Sequence, residues 1–407
     1  MDTTVLVVGG GATGVGVARD LALRGVDTTL VERGALAAGT TGRSHGVLHS
    51  GARYAESDPD DAAECLAENR ILREIASGCI EETGGYFLGL DGDDPAYFDR
   101  KRAACEDLGM AVETLDGDEL RDRVPEANPA VERALAVPDG VVSPARLVVA
   151  NAAAARAAGA TVHTHAPVES IAVEDGGVGR VAVGGRLDAT VEADLVVNAT
   201  GAWAGACAAL AGVDVPMAPT SGVMVAVDGG DGPDAVLNRC RPPADGDIVV
   251  PRAGEAVLGT TSVAVDDPDD VEASAAEVDR VVAECAAMWP GGAEAAVWRT
   301  YWGVRPLYAP EKRGDGRSIS RGFAVLDHAA DGVEGFVTAV GGKLTTYRKM
   351  AEATADLVCD RLGVSAPCRT AERPLPGTDD PERLDALVDE FGVDAPADGP
   401  ADGADGR

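Results

Sequence analysis

Gly9, Gly11 and Gly14 stand between an apolar run at residues 3–8 and the helix-like run VGVARDLALRG. In that spacing the first glycine permits a tight turn. The second lets the backbone approach a pyrophosphate, and the third allows close helix–strand packing. The helix N-terminus favours the negative charge. Ala12 and Thr13 fill the remaining loop positions. Glu32 ends a second strand-like run about 20 residues on, where a carboxylate would accept hydrogen bonds from an adenosine ribose, and Arg33 follows it. A lone G-x-G-x-x-G could be a glycine-rich turn of another α/β protein. The full order of strand, loop, helix, strand and acid predicts a dinucleotide site.

Two later segments choose between dinucleotides. DLVVNATG, at 194–201, runs a strand into the small residues Ala199, Thr200 and Gly201. Many two-domain flavoproteins close such a segment over the cofactor. Residues 335–347 run a second strand into Gly341, Gly342, Lys343, Leu344 and Thr345 at the start of a helix. A helix N-terminus there could face a flavin pyrimidine ring and stabilise the anionic reduced flavin. Together the two segments predict FAD rather than NAD. No metal is expected. The eight cysteines are scattered with no C-x-x-C pair, and they read as free thiols.

The elements that must position these residues follow from periodicity. Residues 3–8 and 28–31 read as strands flanking the first helix, a βαβ opening. Residues 39–54 lack periodicity and read as a long functional loop. Helices are expected over 60–83, 99–109, 116–124, 144–158 and 273–288, and a final one runs through Leu362. Strands are expected at 86–90, 161–163, 222–227, 247–251, 256–261, 297–305 and 335–340, with a hairpin at 168–183. Dinucleotide-binding pieces thus fall at the start, middle and end. That predicts an α/β chain of two interleaved domains, consistent with about 150 residues per domain. From Ala395 the sequence PADGPADGADGR is expected to be a disordered tail.

Charge sets the background. The 407 residues carry a formal net charge of −33. Lysine stands only at Lys101, Lys312, Lys343 and Lys349. So acidic a surface argues against nucleic acid and anionic membranes as direct partners. Scarce lysine and Asp-rich turns point to adaptation to high salt, where self-repulsion is screened. A lysine kept in a glycine-rich, apolar stretch, as Lys343 is, has a specific task in such a chain. No apolar run of about 18 residues suggests a membrane span. The N-terminus has no signal-peptide pattern, so the cytoplasm is the expected location.

The run GGGATGVGVARDLALRG…LVER, followed by TTGRSHGVLHSGARY, closely resembles FAD-dependent glycerol-3-phosphate dehydrogenases, above all the catalytic subunit of the anaerobic, three-subunit enzyme. LNRCRPPADGDIVVP, LGTTS, GVRPL, LDH and GGKLTTYRKMAEATAD extend the likeness over about residues 3–375.

The resemblance implies a D-amino-acid-oxidase-like fold, with a Rossmann-like FAD domain interleaved with an antiparallel-sheet substrate domain. The expected FAD domain is 1–80, 140–212 and 303–370, and the substrate domain is 81–139 and 213–302. Residues 371–394 form a C-terminal extension. The implied reaction oxidises sn-glycerol 3-phosphate to dihydroxyacetone phosphate by hydride transfer from C2 to flavin N5. Electrons then pass to quinone through membrane-anchoring and iron–sulfur partner subunits, which could hold the chain at the cytoplasmic face of the membrane without inserting it.

Matching positions place Arg53, Arg305 and Lys343 on the substrate dianion, with Tyr54 and Thr261 as neighbours. Arginine suits phosphate through paired hydrogen bonds. Thr40, Thr41, Arg43, Ser44, His45, Gly46, Leu48, Trp203 and Asp327 are implied cofactor neighbours. His328 is implied near the ribitol. The base for the C2 hydroxyl is left open. Single-subunit relatives carry a histidine near the position of Gly222, where this chain reads SGVMV. His49 is the remaining candidate, with a packing role equally open, and His45 is a weaker one. The catalytic subunit of the anaerobic enzyme commonly continues into a cysteine-rich, [2Fe–2S]-like domain that this sequence lacks, so no cluster is expected in it. Two other readings stand beside this one: a flavin oxidase acting on an amino or hydroxy acid, and a flavin-binding subunit without catalysis.

Overall fold

The computed structural model describes residues 1–252, 254–310 and 322–393. The expected tail at 395–407 lies outside them. Among the described residues, five parallel strands run in the order Thr161–His163, Thr28–Val31, Asp2–Val8, Ala189–Asn198 and Phe336–Gly341. Parallel neighbours need crossovers. The helix Ala12–Leu23 makes the first one and packs against Pro144–Ala157 and Tyr347–Leu362. Val5 and Val7 point into that helical layer, while Leu6 and Val8 point into a second core on the opposite face. Burial on both faces explains why residues 3–8 are apolar without alternation.

The antiparallel hairpin Val168–Glu174 with Gly177–Val183 joins the first half of Ala189–Asn198. Phe323–Asp327 pairs antiparallel with Phe336–Gly341. These additions complete an eight-stranded sheet among the described residues.

A second, nine-stranded sheet is antiparallel except for one parallel pair, Gly85–Leu90 with Val236–Arg239. Its strand Thr220–Asp228 lies between Glu255–Gly259 and Val297–Arg305. The helix Ala275–Cys285 buries Val281 and Cys285 against this sheet. The chain therefore shows the expected fold class, a parallel Rossmann-like sheet and an antiparallel sheet built from alternating stretches of sequence. Val297–Arg305 continues in the second sheet past the boundary expected at residue 303. Residues 375–393 add Leu375, Leu384, Leu387 and Val393 to the core beneath the first sheet's helices. All eight cysteines are free, and all but Cys368 are buried.

The helix Pro59–Ile75 is fastened to Tyr347–Leu362 by a buried ion pair. Arg348 donates to Glu68 at 2.8 and 2.5 Å, and neither side chain is more than 5% exposed. Removing one partner strands the other charge away from water, which costs about 3–5 kcal/mol. Arg348→Met is expected to lower the unfolding free energy by that amount in urea denaturation at fixed salt. Adding Glu68→Leu should restore most of the loss.

Candidate active site

The C-terminal ends of the parallel strands meet the second sheet at a cavity of about 920 Å³. Val8, Val31, Ala199 and Val340 mark the strand ends, and Trp302, Val304 and Arg305 come from the other sheet. Open α/β sheets take ligands at this edge. Gly9, Gly11, Ala12 and Thr13 line the cavity. Gly14 does not; it sits behind the loop, where a Cβ would overlap the carbonyl oxygen of Gly9. Gly9 itself adopts φ +115°, a region open to glycine. Gly11 caps the helix without a side chain, so the helix N-terminus is presented to the cavity as a seat for an anion. Thr41 Oγ1 accepts the Ala12 N–H at 3.1 Å.

Glu32 also lines the cavity, but the loop itself fixes it. Its Oε2 accepts from Gly10 N–H at 2.6 Å, and its Oε1 accepts from Gly34 N–H at 2.8 Å. A carboxylate offers about four lone-pair sites, so both oxygens keep acceptor capacity. Arg33 donates to both oxygens of Asp269 at 2.9 and 2.7 Å and lies 4.3 Å over the Trp203 ring. Asp269 belongs to the loop before the helix Ala275–Cys285, so the second sheet contributes a wall here. Thr40 donates to the Val304 carbonyl at 2.6 Å, Arg43 to the Trp302 carbonyl at 3.3 Å, and Ser44 to the Thr41 carbonyl at 2.9 Å. Thr200, Gly201, Gly341, Gly342, Lys343 and Leu344 complete the glycine-rich side of the same cavity.

Arg305 and Lys343 line this cavity together with Tyr54. Arg305 donates to Thr261 O at 2.9 Å, Ser221 O at 3.3 Å, Thr260 Oγ1 at 3.3 Å and Thr220 Oγ1 at 3.4 Å. Gly222 makes room for it. A Cβ there would come within 2.5 Å of Thr260 Oγ1 and Thr261 O and 2.8 Å of the guanidinium. Lys343 bonds both carboxylate oxygens of Asp61, and its Nζ lies 4.6 Å from the Tyr54 ring centroid.

Arg53 is placed differently from the expectation. It does not line the cavity, and it is committed to Asp247 at 2.7 Å and Asn238 at 3.1 Å. Thr261 is buried too; its hydroxyl bonds Glu277 and accepts the Val223 N–H at 3.1 Å, so Thr260 carries the hydroxyl beside Arg305.

His49 lies just behind Tyr54, edge-on at 5.7 Å between ring centroids. Burial first, then the charges of His45, Arg53 and Lys343, push its imidazole well below the usual range. His45, 6.2 Å from His49, is pushed down to about 3 by burial and the nearby arginines, and its Nδ1 is buried with no partner. The Thr345 hydroxyl accepts the His49 N–H at 3.0 Å instead of facing the cavity. Gly46 accepts the Val142 N–H at 2.7 Å, and Leu48 packs in the helical core. His328 is held between Asp331 at 2.8 Å and Thr338 at 2.9 Å, and Asp327 caps the short helix His328–Asp331 and pairs with Arg361. Neither lines the cavity. The pairs Asp61–Lys343, Asp247–Arg53 and Asp269–Arg33 went unread in the sequence because each joins segments distant along the chain.

The FAD dependent oxidoreductase family, DAO, matches residues 4–348. An anaerobic glycerol-3-phosphate dehydrogenase subunit of Haloferax volcanii is 47% identical over 409 residues, covering 97% of this chain and 70% of that protein. The corresponding subunit of the Escherichia coli strain K12 enzyme is 43% identical over 386 residues, covering 93% of this chain and 71% of its own. This chain belongs to the family of FAD-dependent subunits of anaerobic glycerol-3-phosphate dehydrogenase. Among solved structures, the glycerol-3-phosphate dehydrogenase of Bacillus halodurans, complexed with FAD, is 25% identical with a TM-score of 0.71, covering 96% of this chain and 71% of that one.

FAD, the cofactor of this family, fits the cavity on two observations of the chain itself. The helix N-terminus capped by Gly11 meets a space large enough for a cofactor. Glu32 is held at its rim by the same loop. In this family member Gly14→Ala is expected to weaken FAD binding roughly 5- to 150-fold, the equivalent of about 1–3 kcal/mol of overpacking. The flavin-to-protein ratio after gel filtration measures it.

Proposed function

We propose that this chain oxidises sn-glycerol 3-phosphate to dihydroxyacetone phosphate. Bound FAD would supply the hydride acceptor for the substrate C2 hydrogen. The observation that carries the reading is that Arg305 and Lys343 line the same cavity as the Gly9–Gly14 loop and the Gly341–Gly342 turn. Two cations suit a phosphate dianion better than a single carboxylate, which disfavours an amino- or hydroxy-acid oxidase. The names of the relatives at 43–47% identity support the same substrate.

Arg305 is the phosphate anchor, seated by the carbonyls and hydroxyls of the second sheet so that its planar fork is preset. Lys343 adds a second positive charge. Arg53 acts from behind, shaping the field around His45 and His49 rather than gripping substrate. His49 is the proposed acceptor of the C2 hydroxyl proton, because it stands edge-on to Tyr54 of the cavity wall and burial keeps its imidazole neutral, at the cost of weaker basicity.

Glu32, Arg33, Thr41, Trp203 and the turn at Gly341 would hold the cofactor. Electrons would then leave to quinone through partner subunits, a route supported by the naming of both relatives as one subunit of a larger enzyme. Attachment at the cytoplasmic face of the membrane would likewise come from those subunits. No helix of the described residues is long and apolar enough to cross a membrane.

Anaerobic mixing of the holoprotein with glycerol 3-phosphate in high salt should bleach the oxidised flavin, whereas a panel of amino acids should not. An unchanged flavin spectrum with glycerol 3-phosphate would overturn the reading. Arg305→Ala should lower kcat/KM about 10- to 150-fold, from the loss of charged hydrogen bonds worth about 1.5–3 kcal/mol. Gly222→Ala should raise KM by displacing the same guanidinium. A base with a depressed pKa stays deprotonated as pH falls, so kcat/KM should show no acid limb near the ordinary histidine value of 6.5. The limb should lie below it, and His49→Gln should lower kcat about 10²- to 10⁴-fold.

A further inference from the structure

Asp61 holds the ammonium of Lys343 with both of its carboxylate oxygens. The lysine side chain is 7% exposed and that of Asp61 is 5% exposed. Asp61 stands in the first turn of the helix Pro59–Ile75. Glu68, seven residues and two turns further along the same face, holds Arg348. One helix thus presents two carboxylates to two cations of the segment 343–348. The bond from His49 N–H to Thr345 Oγ1 ties the turn between those cations to the loop that carries Tyr54.

A lysine's flexible four-carbon stem holds no position by itself. The Tyr54 ring is on hand to cover the ammonium, but a ring face does not set direction as a carboxylate does.

We propose that Asp61 is a positioning residue for the reaction: it holds the Lys343 ammonium at the cavity wall, where the substrate and the flavin meet. This rests on the reading of Lys343 given above.

The electrostatics agree with the geometry. Burial pulls the lysine's pKa down, and Tyr54, Cys65 and Asp61 more than reverse it, so the ammonium stays charged. Lys343 in turn acts on His49 of the loop and on Glu64 and Cys65 of the helix that carries Asp61. Glu64 is itself raised by burial and by Asp61, and it is Asp61 whose two oxygens bond the ammonium directly. Replacing Asp61 by Asn keeps the shape and removes that charge. The lysine then loses its direction and gives up its proton at lower pH.

The test uses the FAD-loaded full chain with Asp61→Asn, Asp61→Glu, Lys343→Met and the double variant Asp61→Asn/Lys343→Met. Asp61→Asn is expected to keep its flavin and lose kcat/KM for glycerol 3-phosphate about 10- to 100-fold, as a misplaced catalytic-site group does. Its alkaline limb should move to lower pH. Asp61→Glu should restore activity to within about threefold and return the limb toward wild type, since it puts back the charge. The double variant should be no worse than Lys343→Met alone, because the two residues act as a unit; it buries no unpaired charge, so it also serves if Asp61→Asn alone does not fold.

Wild-type kcat/KM and pH profile in Asp61→Asn, or multiplying losses in the double variant, would overturn the proposal. So would unchanged turnover per bound flavin accompanied by flavin loss. A parallel titration of the bound-flavin absorbance from neutral to alkaline pH reads the Lys343 ionisation without substrate. An alkaline transition present in wild type, earlier in Asp61→Asn and missing in Lys343→Met supports the Asp61–Lys343 link even if glycerol 3-phosphate fails as substrate. An identical transition in all variants refutes it.

Discussion

Buried positive charge is the constraint around which this molecule is organised. An ammonium or guanidinium taken out of water needs a counter-charge at bonding distance. For four buried or largely buried cations among the described residues the counter-charge comes from another part of the chain. Asp61 meets Lys343, Asp247 meets Arg53, Glu68 meets Arg348, and Glu56 meets Lys101. Each pair also fastens a loop or helix that the hydrophobic cores alone would leave adjustable. The helix Pro59–Ile75 is thereby locked to the turn that lines the cavity, and the loop at 49–54 is locked to the second sheet. A chain with 68 acidic and 35 basic residues has carboxylates to spare, so the selective step is where its few buried cations sit.

The same pairs divide the cations by role. Arg53 bonds Asp247 and Asn238 and lies close enough to His45 and His49 to push both pKa values down. Arg305 is held by carbonyls and hydroxyls of its own sheet and reaches the cavity. Cations that look alike in a motif therefore sit in different surroundings, and what separates them is the partners each one has.

Much of the fold was legible. Apolar runs such as residues 5–8 and 195–197 gave the central parallel strands, because burial on both faces leaves little room there for polar side chains. The hairpin around Asp175 and Gly176 announced itself through its turn residues. Val131–Val137 was missed because its second and third residues, Glu132 and Arg133, are exposed and half-exposed and break the apolar run. Val236–Arg239 has only four residues, and its parallel pairing comes from a strand some 150 positions earlier. The helix Pro381–Phe391 hides its two buried leucines among acidic neighbours. In the site, the glycine loop and the cations Arg305 and Lys343 were readable from local sequence. Asp61 and Asp247 were not, since they lie 282 and 194 residues from the cations they hold, and no single carboxylate stands out in so acidic a chain.

The strand Val297–Arg305 has a consequence for how this site can change. Successive residues of a strand face opposite sides. Arg305 reaches its seat because it pairs with Thr220 while Val304 pairs with Ser221. Slipping that pairing by one position would exchange the sides on which Val304 and Arg305 project. Insertion or deletion of a single residue within this strand would therefore take the guanidinium off the seat built by Ser221, Thr260 and Thr261 at a stroke. Point substitution at residue 305 leaves the alternation intact. The charge of the wall is thus open to gradual revision by substitution and closed to revision by length.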